Sequence, residues 1–444
     1  MSEGQAETRG RAPRTLRRWA AGARAPVFAI AGAGGRETVR RLKLCPDIEL
    51  VSSPRSASIL LVAGSLPISL VRSAIRIHDQ MPHPRATAFY VPGRWEALSS
   101  RFQERFFPFA TVTADGDSAE DSVRFLYRDL LAGDRTSDPG IQPDRPPLPW
   151  RGRGPYGHGG KGMTGGAPYG RPMPQRGSDP DGLDLDRLLM RVGPFFPPLP
   201  SGLTLDLEFQ GDVIRHVEIG RNPFRGMISE AVADPFLAAL HAPVPIVEIE
   251  LARARSHLLW LSDALHMVGL KALGVRTLAH AETLRSATTP PSGDVIRRML
   301  RRLARSRSVA WATRGVGQFA PPGLSGPVSR AAGAEEDARC DDPTYAALGF
   351  RPVTHSEGDA WARWRQRIAE CQQSLDLAAM AGDRRTRPNG AVEAPRGTLR
   401  ADGVFGGLGT EELPDLLDGL EWGDAVTTIV SLDLDLDLEA RYRS

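Results

Sequence analysis

The chain has 444 residues, a mass of 48.2 kDa and a formal net charge of +3 at pH 7. This length allows more than one domain with its own core, and so small a charge gives no reason to expect a nucleic-acid partner. The three cysteines, Cys45, Cys340 and Cys371, lie far apart in the sequence. They exclude a zinc ribbon and are too few for a four-thiolate iron–sulfur cluster.

No apolar run reaches the length of a membrane span, because the longest, from Ile59 to Val71, is interrupted by Gly64, Ser65 and Pro67. The N-terminal residues contain scattered arginines without an apolar core, which argues against a secretory signal. The sequence therefore predicts a cytoplasmic protein that reaches a membrane only as a peripheral subunit.

The first part of the chain predicts a small α/β domain. Residues 1–25 have the composition of a basic, disordered arm, and residues 26–132 alternate apolar strands with amphipathic helices. The expected elements are a strand from Val27, a strand over Ser58–Gly64, a helix over Leu70–Gln80, a strand over Ala86–Gly93 and a closing helix over Ser118–Ala132. Continuous apolar strands between helices are typical of a doubly wound parallel sheet.

A glycine-rich turn, GAGGRE at Gly32 to Glu37, follows the first strand. It resembles the start of a dinucleotide fingerprint, but Glu37 stands where the third glycine belongs and would repel a pyrophosphate. We interpret it as a structural turn. A similar string around Lys161 lacks the hydroxyl residue that a P-loop needs for magnesium, so nucleotide hydrolysis is rejected.

Residues 133–182 predict a Gly/Pro-rich linker, within which the glycine-rich loop 151–177 has no assigned role. Residues 183–444 then predict a mixed helical domain with β-hairpins. Strands are expected at Leu203–Phe209 and Val213–Ile219, long helices from Ile246 to about Arg285 and from Asp359 to Met380, and a final strand over Val426–Leu438. That last prediction rests on alternating leucine and aspartate.

Two strings in the C-terminal half carry a family resemblance. GLSGPVSRAAG, from Gly323, and GDAWARWRQRIAECQQSL, from Gly358, resemble late motifs of the large peripheral-arm subunit of respiratory complex I, a relative of the nickel-iron hydrogenase large subunit. ELARARSHLLWL, from Glu250, resembles a helix of the same family. The resemblance implies a hydrogenase-large-subunit-like domain over residues 183–444. The cysteine pairs that hold nickel in hydrogenases are absent, so no metal site is expected.

The N-terminal half carries a second resemblance. The segment from Ser53 to Gly93 contains SPRSAS, LLVAG and QMPHP, and it resembles the small cluster-bearing subunit of the complex I peripheral arm. The family's cysteine after the third strand is replaced in the run Pro92-Gly93-Arg94, and none occurs near Asp115-Gly116. The chain thus resembles a fusion of two complex I subunits that has lost its cluster ligands, with a flavodoxin-like domain first.

The resemblance to the large subunit implies residues for a quinone pocket or a subunit interface. They are Phe196, Asn222, Arg225, Gly226, Glu250, Arg253, His257, Arg363 and Arg367. Phe196 and Asn222 stand where the family has its quinone-site histidine and tyrosine, so the usual proton donors are gone. Glu250, Arg253 and His257 share one helical face, and we interpret them as a buried ion pair with a satisfied histidine. No catalytic residue is assigned.

The resemblance implies a peripheral-arm subunit of a complex-I-like assembly at the inner face of the cell membrane. We expect a cluster-free structural or coupling subunit, not catalytic by itself, docked on antiporter-like membrane subunits. The chain would bind no cofactor, with iron–sulfur clusters supplied only by partner chains. Two alternatives stay open: an active NADH:quinone oxidoreductase subunit with a rearranged quinone pocket near Arg225, Arg253 and His257, and a soluble nucleotide-binding regulatory module.

Overall fold

The computed structural model describes residues 22–91, 105–113, 118–143, 176–178, 184–225, 227, 234–289, 294–320 and 322–442. Most of the expected arm and linker, the run Pro92-Gly93-Arg94, the pair Asp115-Gly116 and Gly226 lie outside these ranges. Residue contacts divide the chain into two compact units, Met1–Asp144 and Arg145–Ser444. None of the described helices is both long and apolar enough to cross a membrane.

The first unit is built on a parallel five-stranded sheet. Its strands are β1 (Ala25–Ala31), β2 (Ile48–Leu50), β3 (Ile59–Ala63), β4 (Ala86–Tyr90) and β5 (Thr111–Val112), and its helices are α1 (Arg36–Leu42), α2 (Val71–Gln80) and α3 (Ala119–Ala132). The strand order is β2-β1-β3-β4-β5 with parallel pairing throughout. This is the flavodoxin-like order of doubly wound sheets, so the expected strands and helices of this unit are confirmed.

The central strands are buried on both faces, as their unbroken apolar sequence predicted. Ile59 and Leu61 of β3 pack with Val123 and Leu126 of α3. On β4, Phe89 packs instead with Phe107, whose ring also lies against that of His78 on α2. Ser118 caps α3 by accepting a hydrogen bond from the Asp121 amide, and Gly133 ends the helix in the left-handed region.

The start of the expected linker belongs to this unit. Asp138 is 2% exposed and its amide donates to the Arg85 carbonyl oxygen at 2.8 Å. Arg135 donates to the Asp138 carboxylate at 3.2 Å and to the Phe109 carbonyl oxygen at 2.7 Å. Composition alone missed this packing because a buried polar anchor leaves no apolar periodicity in the sequence.

The second unit begins with an antiparallel sheet, β6-β7-β8-β9, and later has the hairpin β10-β11. The strands are β6 (Arg176–Ser178), β7 (Asp184–Val192), β8 (Leu205–Gln210), β9 (Val213–Ile219), β10 (Ala391–Ala394) and β11 (Gly397–Arg400). The hairpin expected around Gly211 is confirmed, and that glycine has a φ of 63° as the tight turn requires. β6 lies inside the range that the sequence analysis placed in the linker.

Helices make up the rest of the second unit. They are α4 (Pro235–Ala239), α5 (Ile246–Met267), α6 (Lys271–Thr283), α7 (Asp294–Ala304), α8 (Arg307–Thr313), α9 (Pro327–Arg330), α10 (Pro343–Ala347), α11 (Ala360–Ala381), α12 (Leu413–Leu417), α13 (Trp422–Leu432) and α14 (Leu436–Tyr442). Within the described ranges, 3₁₀ turns occur at Pro54–Ser56 and Ile68–Leu70 in the first unit and at Ala338–Asp341 and Thr410–Glu412 in the second. The two long helices expected from periodicity are present as α5 and α11, and α6 completes the first range.

Helices α5 and α11 pack antiparallel along their length. Trp260 meets Trp364 edge to face with ring centroids 5.2 Å apart, and the Cys371 thiol lies 3.6 Å from the Ala254 carbonyl oxygen. Asp359 caps α11 by accepting from the Ala362 amide at 2.7 Å. This pair is the scaffold on which the charged residues of the next section sit.

The predicted final strand is wrong. Residues 422–432 form α13, Asp433 follows with a φ of 58°, and α14 begins at Leu436. Leu432, Leu434 and Leu436 are buried as expected, and Leu438 is partly buried. Asp433 and Asp435 act as helix caps and ion-pair partners instead of forming a solvated strand face. Asp433 ends α13, and Asp435 accepts from the Leu438 amide at the start of α14. Aspartate tolerates the left-handed region and favours caps.

Candidate functional site: a buried charge network

The three charged residues of α5 face the protein interior, as the spacing predicted. Glu250 is 0% exposed, Arg253 1% and His257 0%. Ionised side chains this deeply buried are tolerated only where they are paired and hydrogen-bonded. The partners therefore come from outside α5, and two separate parts of the chain supply them.

Arg330, at the end of α9, is the centre of the first group. Its Nε donates to Glu370 of α11 at 2.8 Å, and its Nη1 donates to Glu393 of β10 at 2.7 Å. Nη1 also lies 3.2 Å from the Asp337 carboxylate. Burial alone would raise the pKa of Glu370, but Arg330 beside it holds that pKa well below its ordinary value. Arg330 thus stabilises carboxylates from three different segments.

Glu250 has its own set of partners. It lies 3.3 Å from Arg253 on the same helix and 3.6 Å from Arg339, and it accepts a hydrogen bond from the Tyr345 hydroxyl at 2.6 Å. Burial opposes ionisation, yet Arg253 and Arg339 lower the pKa of Glu250. Burial, together with the adjacent Glu250 charge, raises the pKa of Tyr345 well above its ordinary value. Tyr345 therefore stays a neutral donor.

Arg367 connects the network to the C-terminal helices. Its guanidinium lies 3.4 Å from Asp433 and 4.9 Å from the centroid of the Trp260 ring. Asp433 also lies 3.1 Å from Arg396, in the turn of the β10–β11 hairpin. Stacking over an aromatic ring suits a guanidinium better than an ammonium. Arg367 therefore holds α5, α11 and the end of α13 to one another.

Arg363 lies one turn earlier on α11 and has a different set of partners. It donates to Ser431 at 2.8 Å and to the carbonyl oxygens of Gly358 and Gly317 at 2.8 and 2.9 Å. Burial lowers the pKa of Arg363, although a guanidinium stays charged at physiological pH. Its contacts are structural, since each one joins α11 to a neighbouring loop or to α13.

His257 is the neutral member of the network. Its Nε2 lies 3.4 Å from Glu370 Oε2, and burial, followed by the charges of Arg367 and Arg253, lowers the pKa of its imidazole despite the nearby Glu370 carboxylate. The histidine would add an uncompensated positive charge if it were protonated. The buried ion pair agrees with the sequence-based interpretation, but the satisfied histidine does not, because neither ring nitrogen of His257 has a hydrogen-bond partner among the described residues.

A small cavity borders the network. Arg253, Arg339, Tyr345 and Glu393 contribute to its wall, and its volume is about 30 Å³. A single buried water needs roughly 10–15 Å³ by the same measure, whereas sites for small organic ligands start at about 300 Å³. The cavity can hold water beside the charges and is too small for a quinone headgroup.

The loop residues implied by the family resemblance lie elsewhere in the unit. Phe196 is 36% exposed and packs near Trp422, with ring centroids 6.0 Å apart. Asn222 donates to the Leu436 carbonyl oxygen at 2.8 Å and accepts from the Phe224 amide at 3.0 Å. Arg225 is exposed. Phe196 and Asn222 hold a loop and the C-terminal helix, and the contacts given above for these two residues lie outside the buried network.

Several members of the network were missed by the sequence analysis. Glu370 could have been found, because it lies three residues after Arg367 and seven after Arg363, on the same face of α11. Glu393, Asp433 and Arg339 sit in a strand, a helix end and a 3₁₀ turn, where no periodicity marks a buried charge. Only the tertiary structure brings them together.

The three cysteines cannot form a four-thiolate site by themselves. Cys45 belongs to the first unit, whereas Cys340 and Cys371 belong to the second. Cys371 is fully buried between α5 and α11, and burial raises the pKa of its thiol. Among the described residues, no group of three or more histidine, cysteine, aspartate or glutamate side chains is arranged to hold a metal ion. Cluster ligation needs four thiolates.

The glycine-rich turn after β1 is explained by close packing. A Cβ on Gly35 would collide with the Ala63 carbonyl group, and one on Gly32 would collide with that of Ser65. Both glycines therefore allow the turn to approach the end of β3. The helix that follows, α1, has only seven residues. The turn has a structural reason for its glycines that involves no phosphate.

Residues 295–402, from α7 to the hairpin β10–β11, match the family model of the respiratory-chain NADH dehydrogenase 49 kDa subunit. This is the large peripheral-arm subunit whose motifs the sequence analysis found. The matched range contains Arg330, Arg363, Arg367, Glu370 and Glu393. This part of the chain is similar to the 49 kDa subunit of the respiratory-chain NADH dehydrogenase.

Curated relatives agree with this family. The chain is 26% identical over 296 residues to the NADH-quinone oxidoreductase D 1 subunit of Salinispora tropica, covering 50% of this chain and 66% of that protein. It is 38% identical over 79 residues to the D 2 subunit of Rhizobium etli, covering 17% of this chain and 19% of that protein. A third relative, the D 2 subunit of Salinispora arenicola, is 40% identical over 110 residues, or 22% of this chain and 29% of its own length.

The similarity is therefore partial. The chain spans between about a fifth and two thirds of the length of the Rhizobium etli and Salinispora tropica proteins. Helix α5, with Glu250 and His257, lies before the range matched by the family model. The similarity to the large peripheral-arm subunit is shown for the matched segments of the second unit.

Proposed function

We propose that this protein is a cluster-free coupling subunit in a complex-I-like assembly, peripheral on the inner face of the cell membrane. Its first unit would correspond to the small cluster-bearing subunit of complex I and its second unit to the large one, and the chain would dock on antiporter-like membrane subunits. The proposal extends the homology of the second unit to the whole chain. It also takes up the resemblance of the segment Ser53 to Gly93 to the small subunit.

The closed charge network is the observation that carries the proposal. Each carboxylate of the network has an arginine partner within the second unit. These carboxylates are Glu250, Asp337, Glu370, Glu393 and Asp433. A pocket that works on a quinone needs a titratable donor directed at open space. Tyr345 donates instead to Glu250, and His257 faces Glu370. Such an arrangement supports a rigid mechanical element more than a reaction centre.

The cysteine count supports the cluster-free part of the proposal. Three thiols, divided between two units, cannot complete a four-thiolate site. Any electron carrier would then belong to partner chains, and this subunit would transmit conformational change between them and the membrane subunits. A two-state change in a packed element is the physical requirement for such transmission.

Affinity purification from membranes tests the assembly. The tagged full-length chain would be extracted with a mild detergent, and its co-purifying proteins identified by mass spectrometry against an untagged strain. We expect antiporter-like membrane subunits in stable, stoichiometric amount. Recovery of the chain alone, or with soluble proteins only, would contradict the proposal and favour the regulatory alternative.

A further inference from the structure

Helices α7 and α8 present an unusual basic surface. Residues 295–334 contain no aspartate or glutamate, and the arginines of this segment are concentrated in α7 and α8. Arg297 pairs with Asp376 of α11 at 2.7 Å. The exposed arginines of the segment 295–334 are Arg298, Arg301, Arg302, Arg305, Arg307 and Arg314. Among the residues in the described ranges, none of these exposed arginines has a salt bridge to a carboxylate.

Large apolar side chains lie beside these arginines on the solvent side. Trp311, in α8, is 89% exposed, and Val295, in the first turn of α7, is 53% exposed. The buried face of α7 consists of Ile296, Met299, Leu300 and Leu303, so Val295 and Trp311 contribute nothing to the core. A fully exposed tryptophan next to arginines is typical of a side chain that enters the interface of a lipid bilayer.

A groove of about 270 Å³ runs between α6 and α7. Its rim carries Arg276 and His280 from α6 and Arg298 and Arg302 from α7, and its floor includes Leu273 and Met299. The lining contains no carboxylate. A basic rim over an apolar floor is complementary to an amphiphile with an anionic head and a hydrocarbon chain. A nucleic acid would use the charges but leave the floor empty.

We propose that the α7–α8 surface binds an anionic phospholipid bilayer directly. The arginines of α7 would contact head-group phosphates, Trp311 would enter the interfacial layer, and the α6–α7 groove would accept part of one acyl chain. This contact is made by the chain itself and needs no membrane-protein partner. It is therefore separate from the proposed docking on antiporter-like subunits, and either can fail without the other.

Vesicle binding by the purified full-length protein tests the surface. Sedimentation would be measured with vesicles of phosphatidylcholine alone and with vesicles containing a third phosphatidylglycerol. We expect binding to the anionic vesicles only, weakened by 0.5 M salt because surface charges are then screened. The double variant Arg301→Gln/Arg305→Gln should bind about 30-fold more weakly, since each arginine near an anionic surface contributes several-fold.

The matched control is Arg72→Gln/Arg76→Gln, which removes the same charge at the same spacing from exposed positions on α2. It should bind like the wild type. Trp311→Ala should also weaken binding, and because Trp311 is exposed its loss leaves the core unchanged. Equal loss in the two arginine variants, or equal binding to neutral vesicles, would overturn the proposal. The proposal would also be overturned if the Arg301→Gln/Arg305→Gln variant lost binding to an oligonucleotide but still bound anionic vesicles. The surface would then be a nucleic-acid site.

Discussion

Nε2 of His257 lies 3.4 Å from Oε2 of Glu370 across the interface of α5 and α11. Glu370 uses its other oxygen to accept from Arg330 at 2.8 Å. One carboxylate thus joins a neutral histidine to a buried arginine, and three segments of the second unit depend on it.

Replacing Glu370 with glutamine should strongly destabilise the second unit. The amide removes the charge opposite Arg330, while Glu393 and Asp337 remain. Breaking a buried pair by removing one partner costs about 3–5 kcal/mol, and we expect about 3 kcal/mol in urea unfolding. Asp376→Asn is the control, since it changes a carboxylate of the same helix that is 58% exposed and pairs with Arg297. Its cost should stay below about 1 kcal/mol. Similar costs for both variants would refute a stabilising role of the network.

His257 should make stability depend on pH below 6.5. Its folded pKa is lowered while the unfolded value is 6.5, so below pH 6.5 the unfolded chain binds the proton and the folded one does not. Stability is then fully present above pH 6.5 and decreases as the pH falls.

The variant His257→Gln should lose less stability than the wild type as the pH falls below 6.5. Other titrating groups are common to both proteins and cancel in the comparison. His216→Gln, at a side chain that is 61% exposed, serves as the control and should follow the wild type. Parallel pH curves for His257→Gln and the wild type would show that the histidine does not resist protonation. Thermal unfolding at fixed ionic strength gives the curves.

Gly35→Ala should destabilise the first unit by about 2 kcal/mol, because the new methyl group meets the backbone of Ala63 and cannot be accommodated by a side-chain movement. Gly34→Ala has open space around its Cβ and a φ of +73°, so it should cost only about 1 kcal/mol. Circular dichroism melts compare the two. A different result would contradict the structural interpretation of the turn. If the wild type bound NADH and a normally folded Gly35→Ala variant did not, the turn would be a nucleotide site.

Asn222→Ala should loosen α14. The substitution removes the donor to the Leu436 carbonyl oxygen and the acceptor for the Phe224 amide, each worth about 1 kcal/mol. Hydrogen exchange should become faster in residues 434–442 and in the 220–225 loop. Asn389→Ala, which removes a local turn contact to Ala391 at an exposed position, should leave those amides unchanged. Unaltered exchange after Asn222→Ala would contradict the role assigned to Asn222.

The sequence predicted what periodicity and apolar runs encode. β3, α3, α5 and α11 follow from their patterns, and the shared face of Glu250, Arg253 and His257 follows from helical spacing. The partners of that face do not, because Arg339, Glu393 and Asp433 come together only in three dimensions.

The C-terminal error has a definite physical origin. Leucine and aspartate alternate with period two, as in a half-buried strand. Asp433 and Asp435 instead use their carboxylates to cap helices and to pair with Arg396, at 3.1 and 3.3 Å. A local pattern cannot distinguish a solvated aspartate from one that meets a distant arginine.

The central claim, that this subunit carries no redox centre, is tested most directly by iron analysis and EPR. The complex would be purified in mild detergent, reduced with dithionite and measured before and after this chain is stripped from it. We predict that all iron and all cluster signals stay with the partner chains and that the isolated chain is iron-free. Cluster signals that remain with the stripped chain and vanish in the variant Cys45→Ser/Cys340→Ser would contradict the account.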